Sequence, residues 1–348
     1  MRWTTIALLS LSVACTKKEA SAPPEPEQVA ESEAPVTAEA PPGETEAAAA
    51  LTADEPELPE ELKRETPAIG APPTVNVLDR GQEPRRALRW NVQPGFEQKV
   101  SASVASSIEA LIAVMMVRAP LYAVSYELTL RATSLADNGS LRVGITVDRA
   151  TADLKAVGDA ERAKQIETAL GTLGKVGGRY TLGPRGQVTD VQLDVPPEAA
   201  GVAREMIDNL GWAIVEMTPV FPAEPIGQGA KWTVHQGIEQ GGATVNQLAT
   251  IELVKLEGNR VELGLDIRQS AAPQSFENAG TMRTLDLTVL KGLATGSLTW
   301  DLGELAPRNA RIDAETVKGV RHAPPKPSEK PVSSVIMTKR TVEIAAKR

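Results

Sequence analysis

Residues 124–148 read VSYELTLRATSLADNGSLRVGITVD, and this stretch decides the predicted fold class. Apolar and polar residues alternate on both sides of Asp137-Asn138-Gly139, a sequence typical of a tight turn. Because successive side chains of a β-strand point to opposite faces, the alternation predicts an antiparallel hairpin with one buried and one solvated face. Residues 246–267 repeat this plan around Glu257-Gly258-Asn259, so we expect a large antiparallel sheet.

Two segments between the predicted strands show helical spacing instead. Asp159 can cap a helix that runs to about Leu173, and Pro196 can begin a second, longer helix that ends near Met217. The longer helix carries an apolar stripe, and such a stripe usually packs in a core. The predicted fold class is therefore α+β: a large, curved, half-barrel-like antiparallel sheet with one long packed helix and a shorter helix.

Two features of the globular region, residues 85–348, stay open. Residues 105–117, ASSIEALIAVMMV, suit a helix that begins with a capping box and suit a buried strand equally well. The two hairpin regions are similar in length and turn chemistry, which suggests two similar halves at about 85–195 and 220–348. Alternation is common to all antiparallel sheets, so duplication and convergence remain alternatives.

The first fourteen residues have the pattern of an export signal. Arg2 is followed by an apolar run and by small residues at Ser12 and Ala14, directly before Cys15. The run is shorter than the roughly 20 apolar residues that span a bilayer, so it does not predict a membrane helix. Cys15 is the only cysteine in the chain and therefore has no disulfide partner within it.

The tetrapeptide Ser12-Val13-Ala14-Cys15 resembles the lipobox of bacterial lipoproteins, whose cysteine is acylated before cleavage. It departs from that pattern at Ser12, where leucine is preferred, and it also suits the ordinary signal peptidase. The resemblance implies that Cys15 is lipidated and becomes the first residue of the mature chain, with more than one acyl chain holding it to a bilayer. Thr16 follows instead of aspartate, which implies the outer membrane of the bacterial envelope.

The charge of the chain is concentrated in one segment. The net charge of −8 divides into +3 on residues 1–18, −12 on residues 19–75 and +1 on the remainder. The acidic segment is rich in Pro, Glu and Ala, which cannot bury enough apolar surface to offset the entropy of ordering, so residues 15–80 are expected to form a disordered stalk. The remainder has no basic stripe, which argues against a nucleic-acid partner.

The sequence contains no constellation typical of an enzyme or a metal site. Its two histidines, His235 and His322, lie far apart and lack the spacing of metal ligands. No nucleophile elbow and no phosphate-binding glycine loop is found. We therefore predict a protein that is not an enzyme and that has no metal or other cofactor.

The order of these features resembles an uncharacterised family of bacterial lipoproteins. The shared features are the lipobox, the acidic stalk, the Asp-Asn-Gly hairpin and two later motifs. One motif is Gly-x-Tyr-x-Leu followed by Gly-x-Val-x-x-Val, from Gly178 to Val191, and the other is Pro-x-x-Pro-Ile-Gly-x-Gly-Ala-x-Trp, from Pro222 to Trp232. The resemblance covers about residues 85–345 and implies a location and an architecture, without catalytic or binding residues.

Two functions follow as hypotheses for a membrane-anchored envelope lipoprotein. In the first, the domain binds a lipid or another apolar ligand between sheet and helix. The residues expected to line that cavity are Tyr126, Met206, Leu210, Trp212, Ile214 and Trp300. In the alternative, the domain is a structural or protein-interaction module that contacts another envelope protein and has no small-molecule ligand.

Overall fold

The computed structural model describes residues 58–348 except 113–114, 156, 175, 195, 197–201, 241, 279–282, 323–330 and 348. The side chains of residues 119–122, 202, 204, 205, 208, 212, 277, 278 and 283 also lie outside the description. The export signal, Cys15 and the stalk up to residue 57 belong to the part of the chain that is not described, and so does the predicted start of the longer helix after Pro196.

Among the described residues, the chain forms thirteen strands and three helices. The strands are β1 (Thr74–Asp79), β2 (Glu97–Ile112), β3 (Met115–Leu135), β4 (Leu141–Ala152), β5 (Gly177–Leu182), β6 (Val188–Asp194), β7 (Lys231–Gln240), β8 (Ala243–Glu257), β9 (Arg260–Ala271), β10 (Gln274–Asn278), β11 (Arg283–Asp301), β12 (Asn309–His322) and β13 (Val332–Ala346). The helices are α1 (Glu60–Lys63), α2 (Ala160–Leu173) and α3 (Val202–Met217).

All thirteen strands belong to one antiparallel sheet. Its order is β1-β7-β8-β9-β11-β12-β13-β2-β3-β4-β5-β6, and β10 pairs with β11 beside this path. The C-terminal strand β13 pairs with β2 from Ser334 opposite Ile112 to Ala346 opposite Val100, so the last strand in the sequence lies beside the second. The sheet is open, because β1 and β6 are its edge strands.

The prediction of an α+β fold with one long packed helix is wrong, because the structure is mostly antiparallel sheet. The helices α2 and α3 have 14 and 16 residues, so neither stands out as the long one. Several strands are far longer than the usual 3 to 10 residues, with 21 residues in β3 and 19 in β11. Alternation that persists over such lengths makes strand, and not helix, the dominant element.

The helices α2 and α3 pack on one face of the sheet, called the inner face below. Asp159 caps α2 as the sequence predicted, since its Oδ1 accepts hydrogen bonds from the backbone N–H groups of Glu161 and Arg162. Ile166 of α2 and Leu210 of α3 are buried in one continuous core. That core includes inward side chains from strands on both sides of the β13–β2 pair, so burial of apolar surface by the helices stabilises the whole sheet.

The ambiguous residues 105–117 form strand wherever they are described. They complete β2 and begin β3, and residues 105–112 pair with β13. Since β13 lies more than 200 residues further along the chain, its backbone hydrogen bonds decide between helix and strand at this place.

The folded part begins before residue 85, within the segment that composition assigned to the stalk. The strand β1 pairs with β7, and Leu62 of α1 is buried on the face opposite the helices, called the outer face below. The Asn246 side-chain amide and the Ser270 hydroxyl lie 3.4 Å and 3.3 Å from the Leu62 carbonyl oxygen, to which both donate. A Cβ on Gly237 would collide with the carbonyl oxygen of Pro67, so glycine is what lets this segment lie so close to β7.

Candidate functional site

The inner face beneath α3 is where the sequence placed an apolar cavity. Tyr126 of β3 and Met206 and Leu210 of α3 are buried there, and Ile214 is half-buried against the same core. The Tyr126 hydroxyl donates a hydrogen bond of 3.3 Å to the Met206 carbonyl oxygen. The structure therefore brings Tyr126 and the helix together as packed neighbours. The side chain of Trp212 lies outside the description.

Trp300, the sixth predicted lining residue, is buried in an aromatic cluster with Trp90, Phe221 and Trp232. The ring centroids of Trp90 and Trp300 are 4.7 Å apart, those of Trp90 and Phe221 5.7 Å, and those of Phe221 and Trp232 6.1 Å. The indole N–H groups of Trp232 and Trp300 donate to backbone carbonyl oxygens, at 2.8 Å and 3.1 Å. Rings packed in this way contribute to a core, although the buried indole N–H of Trp90 has no hydrogen-bond partner among the described residues.

The aromatic cluster lies where two loops meet the turn between β5 and β6. The backbone N–H of Phe221 donates to the Arg185 carbonyl oxygen at 2.7 Å, and that of Trp90 donates to the Pro184 carbonyl oxygen at 3.1 Å. These bonds tie the turn between β5 and β6 to the segment that leads into β7 and to the segment that leads into β2. The motif from Pro222 to Trp232 thus begins directly after Phe221, whose backbone is hydrogen-bonded to this turn.

A row of polar side chains, interrupted by one glycine, crosses the inner face next to the apolar core. In the register of the sheet, the row runs from β7 to β13 through Gln236, Gln247, Gln269, Gly292, Thr316 and Thr338. The buried side chains of Gln247 and Gln269 are hydrogen-bonded, with Gln269 Nε2 donating to Gln247 Oε1 at 2.7 Å. The row separates the main core from a smaller apolar cluster that includes Phe276 and Leu287.

The sequence reasoning missed this polar row, although a signal was present. Gln247 lies in phase with Ala249 and Ile251, and Gln269 lies in phase with Ile267, all of which face inward. The phase of the alternation therefore places both glutamines on the buried face. They are buried polar groups that need a partner, and each supplies one for the other.

A buried ion pair attaches the last turn of α3 to β13. Arg340 Nη2 donates to Glu216 Oε2 at 2.9 Å, and the two side chains are 14 % and 4 % exposed. Burial raises the pKa of Glu216 to about 7 from 4.5, because the loss of hydration outweighs the attraction of Arg340. The same loss of hydration lowers the pKa of Arg340. A carboxylate near a helix C-terminus is unfavourable, and the guanidinium offsets that cost here.

A groove of about 440 Å³ lies on the outer face, across β11, β12, β13 and β2. Two register rows form its walls: Leu293, Glu315, Lys339 and Ser107 in one, and Thr295, Asp313 and Thr341 in the other. Lys339 Nζ lies 3.4 Å from Glu315 Oε1, and Leu293 is exposed beside them. The groove therefore offers apolar, acidic and basic groups together, on the face of the sheet opposite α3.

The described residues include no group of three or more His, Cys, Asp or Glu that could hold a metal ion. His235 lies in β7 with its Nε2 2.6 Å from Asn246 Oδ1, and His322 lies in β12 with its Nε2 3.0 Å from the Ser334 hydroxyl. Each histidine thus has a neutral hydrogen-bond partner on an adjacent strand. None of the described helices is long and apolar enough to cross a membrane.

No protein-family model matches this chain, and no curated protein matches it either. A function is therefore proposed from the residues and their geometry alone.

Proposed function

We propose that this chain is a membrane-anchored bacterial envelope lipoprotein whose folded part is a structural or protein-interaction module. The observation that favours a module over an apolar-ligand carrier is the packing beneath α3. Tyr126, Met206 and Leu210, three of the residues that the carrier hypothesis expects around a ligand, are buried there. The hydrogen bond from Tyr126 and the ion pair from Arg340 both attach α3 to the sheet, so a ligand would have to displace buried side chains and break both contacts.

The proposed anchor rests on the N-terminal sequence. The lipobox-like Ser12-Val13-Ala14-Cys15 supplies a lipid attachment site, and Thr16 favours the outer membrane. The acidic stalk that follows is a long, self-repelling tether, so it would let the folded part move over a range of distances from its anchor. An arrangement of this kind suits a domain that reaches a partner elsewhere in the envelope.

The outer groove is the surface that we assign to an envelope protein partner. Its walls are formed by residues of paired strands and are therefore rigid. They combine Leu293 with the Glu315–Lys339 ion pair. Interfaces bind through an apolar centre surrounded by polar groups, and this groove has that composition. An extended polypeptide segment that carries both charges and an apolar residue would match it.

The Cys15→Ser variant is expected to move from the membrane to the soluble fraction, because it lacks the thiol that is acylated. The ordinary signal peptidase can still cleave after Ala14. Native mass spectrometry of the released protein should then give the mass of the mature polypeptide alone. Ser12→Leu, which completes the lipobox pattern, is the matched control and should stay in the membrane.

Two results would count against this proposal separately. Retention of Cys15→Ser in carbonate-washed membranes would reject the lipid anchor. A lipid retained at one molecule per released chain would reject the module and restore the carrier.

A photo-crosslinking amino acid at Leu293 is expected to give a defined covalent adduct with one envelope protein in living cells. The same amino acid at Val254, which is 51 % exposed on β8 outside the groove, is the control and should give no such adduct. Equal adducts at both positions, or none at Leu293, would remove the groove from the proposal. Mass spectrometry of the adduct identifies the partner.

A further inference from the structure

The connection between β2 and β3 is apolar where a surface turn is normally polar. Residues 110–117 read ALIAVMMV, whereas the turns at Asp137-Asn138-Gly139 and Glu257-Gly258-Asn259 have the usual polar and glycine residues. The last three residues of β2 and the first residues of β3 thus supply a continuous apolar run at one end of the sheet. The turn of a hairpin does not need apolar residues, so these residues call for an explanation other than the formation of the turn.

The side chains at this hairpin end are exposed. Met115 is 65 % exposed and Met116 is 53 % exposed, although neither has a polar atom that benefits from water. On the neighbouring strand β13, Ser334 pairs with Ile112, so Val332 lies two residues further toward the same end, where it is 40 % exposed. Met115, Met116 and Val332 are called the apolar tip. Methionine is flexible and polarisable, which suits contact with a disordered apolar medium.

The chain enters the fold at the same end of the sheet. Asn246 and Ser270 hold α1 on the outer face through the Leu62 carbonyl oxygen. Both belong to a single register row that crosses the sheet through Asn246, Ser270, Lys291, Val317, Met337 and Glu109. Glu109 is three residues from Ile112, which is about 10 Å along a strand. The segment that leads back toward Cys15 therefore leaves the fold close to the level of the apolar tip.

Charges of both signs occur together among the described residues beside the apolar tip. Arg118 forms an ion pair of 3.3 Å with Glu109, and Arg321 lies opposite Asp286 in the register of β12 and β11. A surface that bound anionic lipid headgroups would present unpaired cations. The tip therefore suits the apolar region of a bilayer, with little preference for the charge of the headgroups.

We propose that the apolar tip inserts into the surface of the bilayer that anchors the chain and turns the β2–β3 end of the sheet toward the membrane. This inference rests on the proposed anchor and adds a second, non-covalent membrane contact. A few apolar side chains bind a bilayer only weakly by themselves. A tether raises their effective concentration at the surface, so the contact forms in the anchored protein.

The test uses an artificial tether, so that its result does not depend on lipidation at Cys15. The Cys15→Ser chain, with a histidine tag at its mature N-terminus, is bound to zwitterionic vesicles that contain a nickel-chelating lipid. A polarity-sensitive fluorophore is attached through Met116→Cys, the only thiol in that variant. The matched control carries the fluorophore at Leu135→Cys, which is also apolar and 52 % exposed but lies at the other end of β3, about 65 Å along the strand.

The fluorophore at position 116 is expected to shift to shorter wavelength on the vesicles. A lipid-attached quencher should reduce its emission severalfold, and the response should be unchanged when anionic lipid is added. The fluorophore at position 135 should respond to neither vesicles nor quencher. Adding Met115→Ser and Val332→Ser should reduce the response at position 116 to that of position 135, while an unchanged thermal unfolding curve shows that the fold is retained.

Three outcomes would overturn the proposal. The first is an equal response at positions 116 and 135. The second is a response at position 116 that requires anionic lipid. The third is a shift that appears without vesicles and grows with protein concentration, which would assign the apolar tip to a second copy of this chain. Failure of the anchor itself would show only in the fractionation of Cys15→Ser, so the two proposals fail independently.

Discussion

Replacing Trp232 with alanine is expected to lower the free energy of unfolding by about 3–5 kcal/mol. Trp232 is fully buried and packs against Phe221 in the aromatic cluster. Its indole N–H also satisfies the carbonyl oxygen of Val220, which the substitution would leave buried without that donor. Urea unfolding followed by far-ultraviolet circular dichroism measures the change.

Two control variants separate packing in this cluster from general effects of substitution. Val254→Ala removes apolar atoms from an exposed position of the same sheet, and its effect should stay within about 0.5 kcal/mol. Trp232→Phe retains a ring but loses the N–H, so its effect should fall between those of the other two variants. Equal stability of Trp232→Ala and Val254→Ala would show that the cluster does not hold the β5–β6 turn against the loops.

Replacing Arg340 with methionine is expected to lower the free energy of unfolding by about 3–5 kcal/mol at pH 8, because Glu216 then stays buried without its ion pair and must either remain charged or take up a proton. Methionine keeps much of the length of the side chain and so limits the cavity. The double variant Glu216→Gln/Arg340→Met removes both charges and should recover most of the loss. Urea unfolding of the four proteins, taken as a double-mutant cycle, measures the coupling between the two groups.

The pH dependence of these variants has a definite sign. Since the pKa of Glu216 is raised to about 7 from 4.5, the folded protein binds a proton that the unfolded chain releases between these values. The stability that this group contributes is therefore fully present below about pH 4.5 and is lost as the pH rises through 7. Arg340→Met raises the pKa of Glu216 further, because the attraction that lowers it is removed.

At pH 5, Glu216 is protonated in the folded state of both proteins, so the stability deficit of Arg340→Met should be much smaller than at pH 8. In Glu216→Gln/Arg340→Met this contribution to the pH dependence should vanish. A deficit of equal size at pH 5 and pH 8 would mean that Glu216 does not titrate in the folded protein over this range.

Local sequence patterns predicted several elements where the structure has them. The hairpin around Asp137-Asn138-Gly139 is β3–β4, and Glu257-Gly258-Asn259 separates β8 from β9. Asp159 caps α2, which ends at Leu173. These features depend on the side-chain period of a strand, on turn residues and on a side chain that binds nearby backbone N–H groups, all of which act over a few residues.

Features that depend on distant contacts were not predictable in the same way. The pairing of β13 with β2 decided that residues 105–112 form strand, and the contacts of α1 with Asn246 and Ser270 placed part of the acidic segment on the fold. The ion pair of Glu216 with Arg340 joins residues 124 positions apart. Composition and periodicity carry no information about such partners.

For the candidate site, the sequence named residues that the structure buries, without showing how they are used. The apolar spacing of Met206 and Leu210 marked them as inward-facing, but the same spacing serves a packed core and a ligand cavity. Our proposal of a packed core rests on the tertiary contact between the Tyr126 hydroxyl and the backbone of α3. Periodicity determines which face of a strand or helix each residue occupies. The distance between helix and sheet is a tertiary property, because it is set only when strands far apart in the chain pair and the helices pack against them.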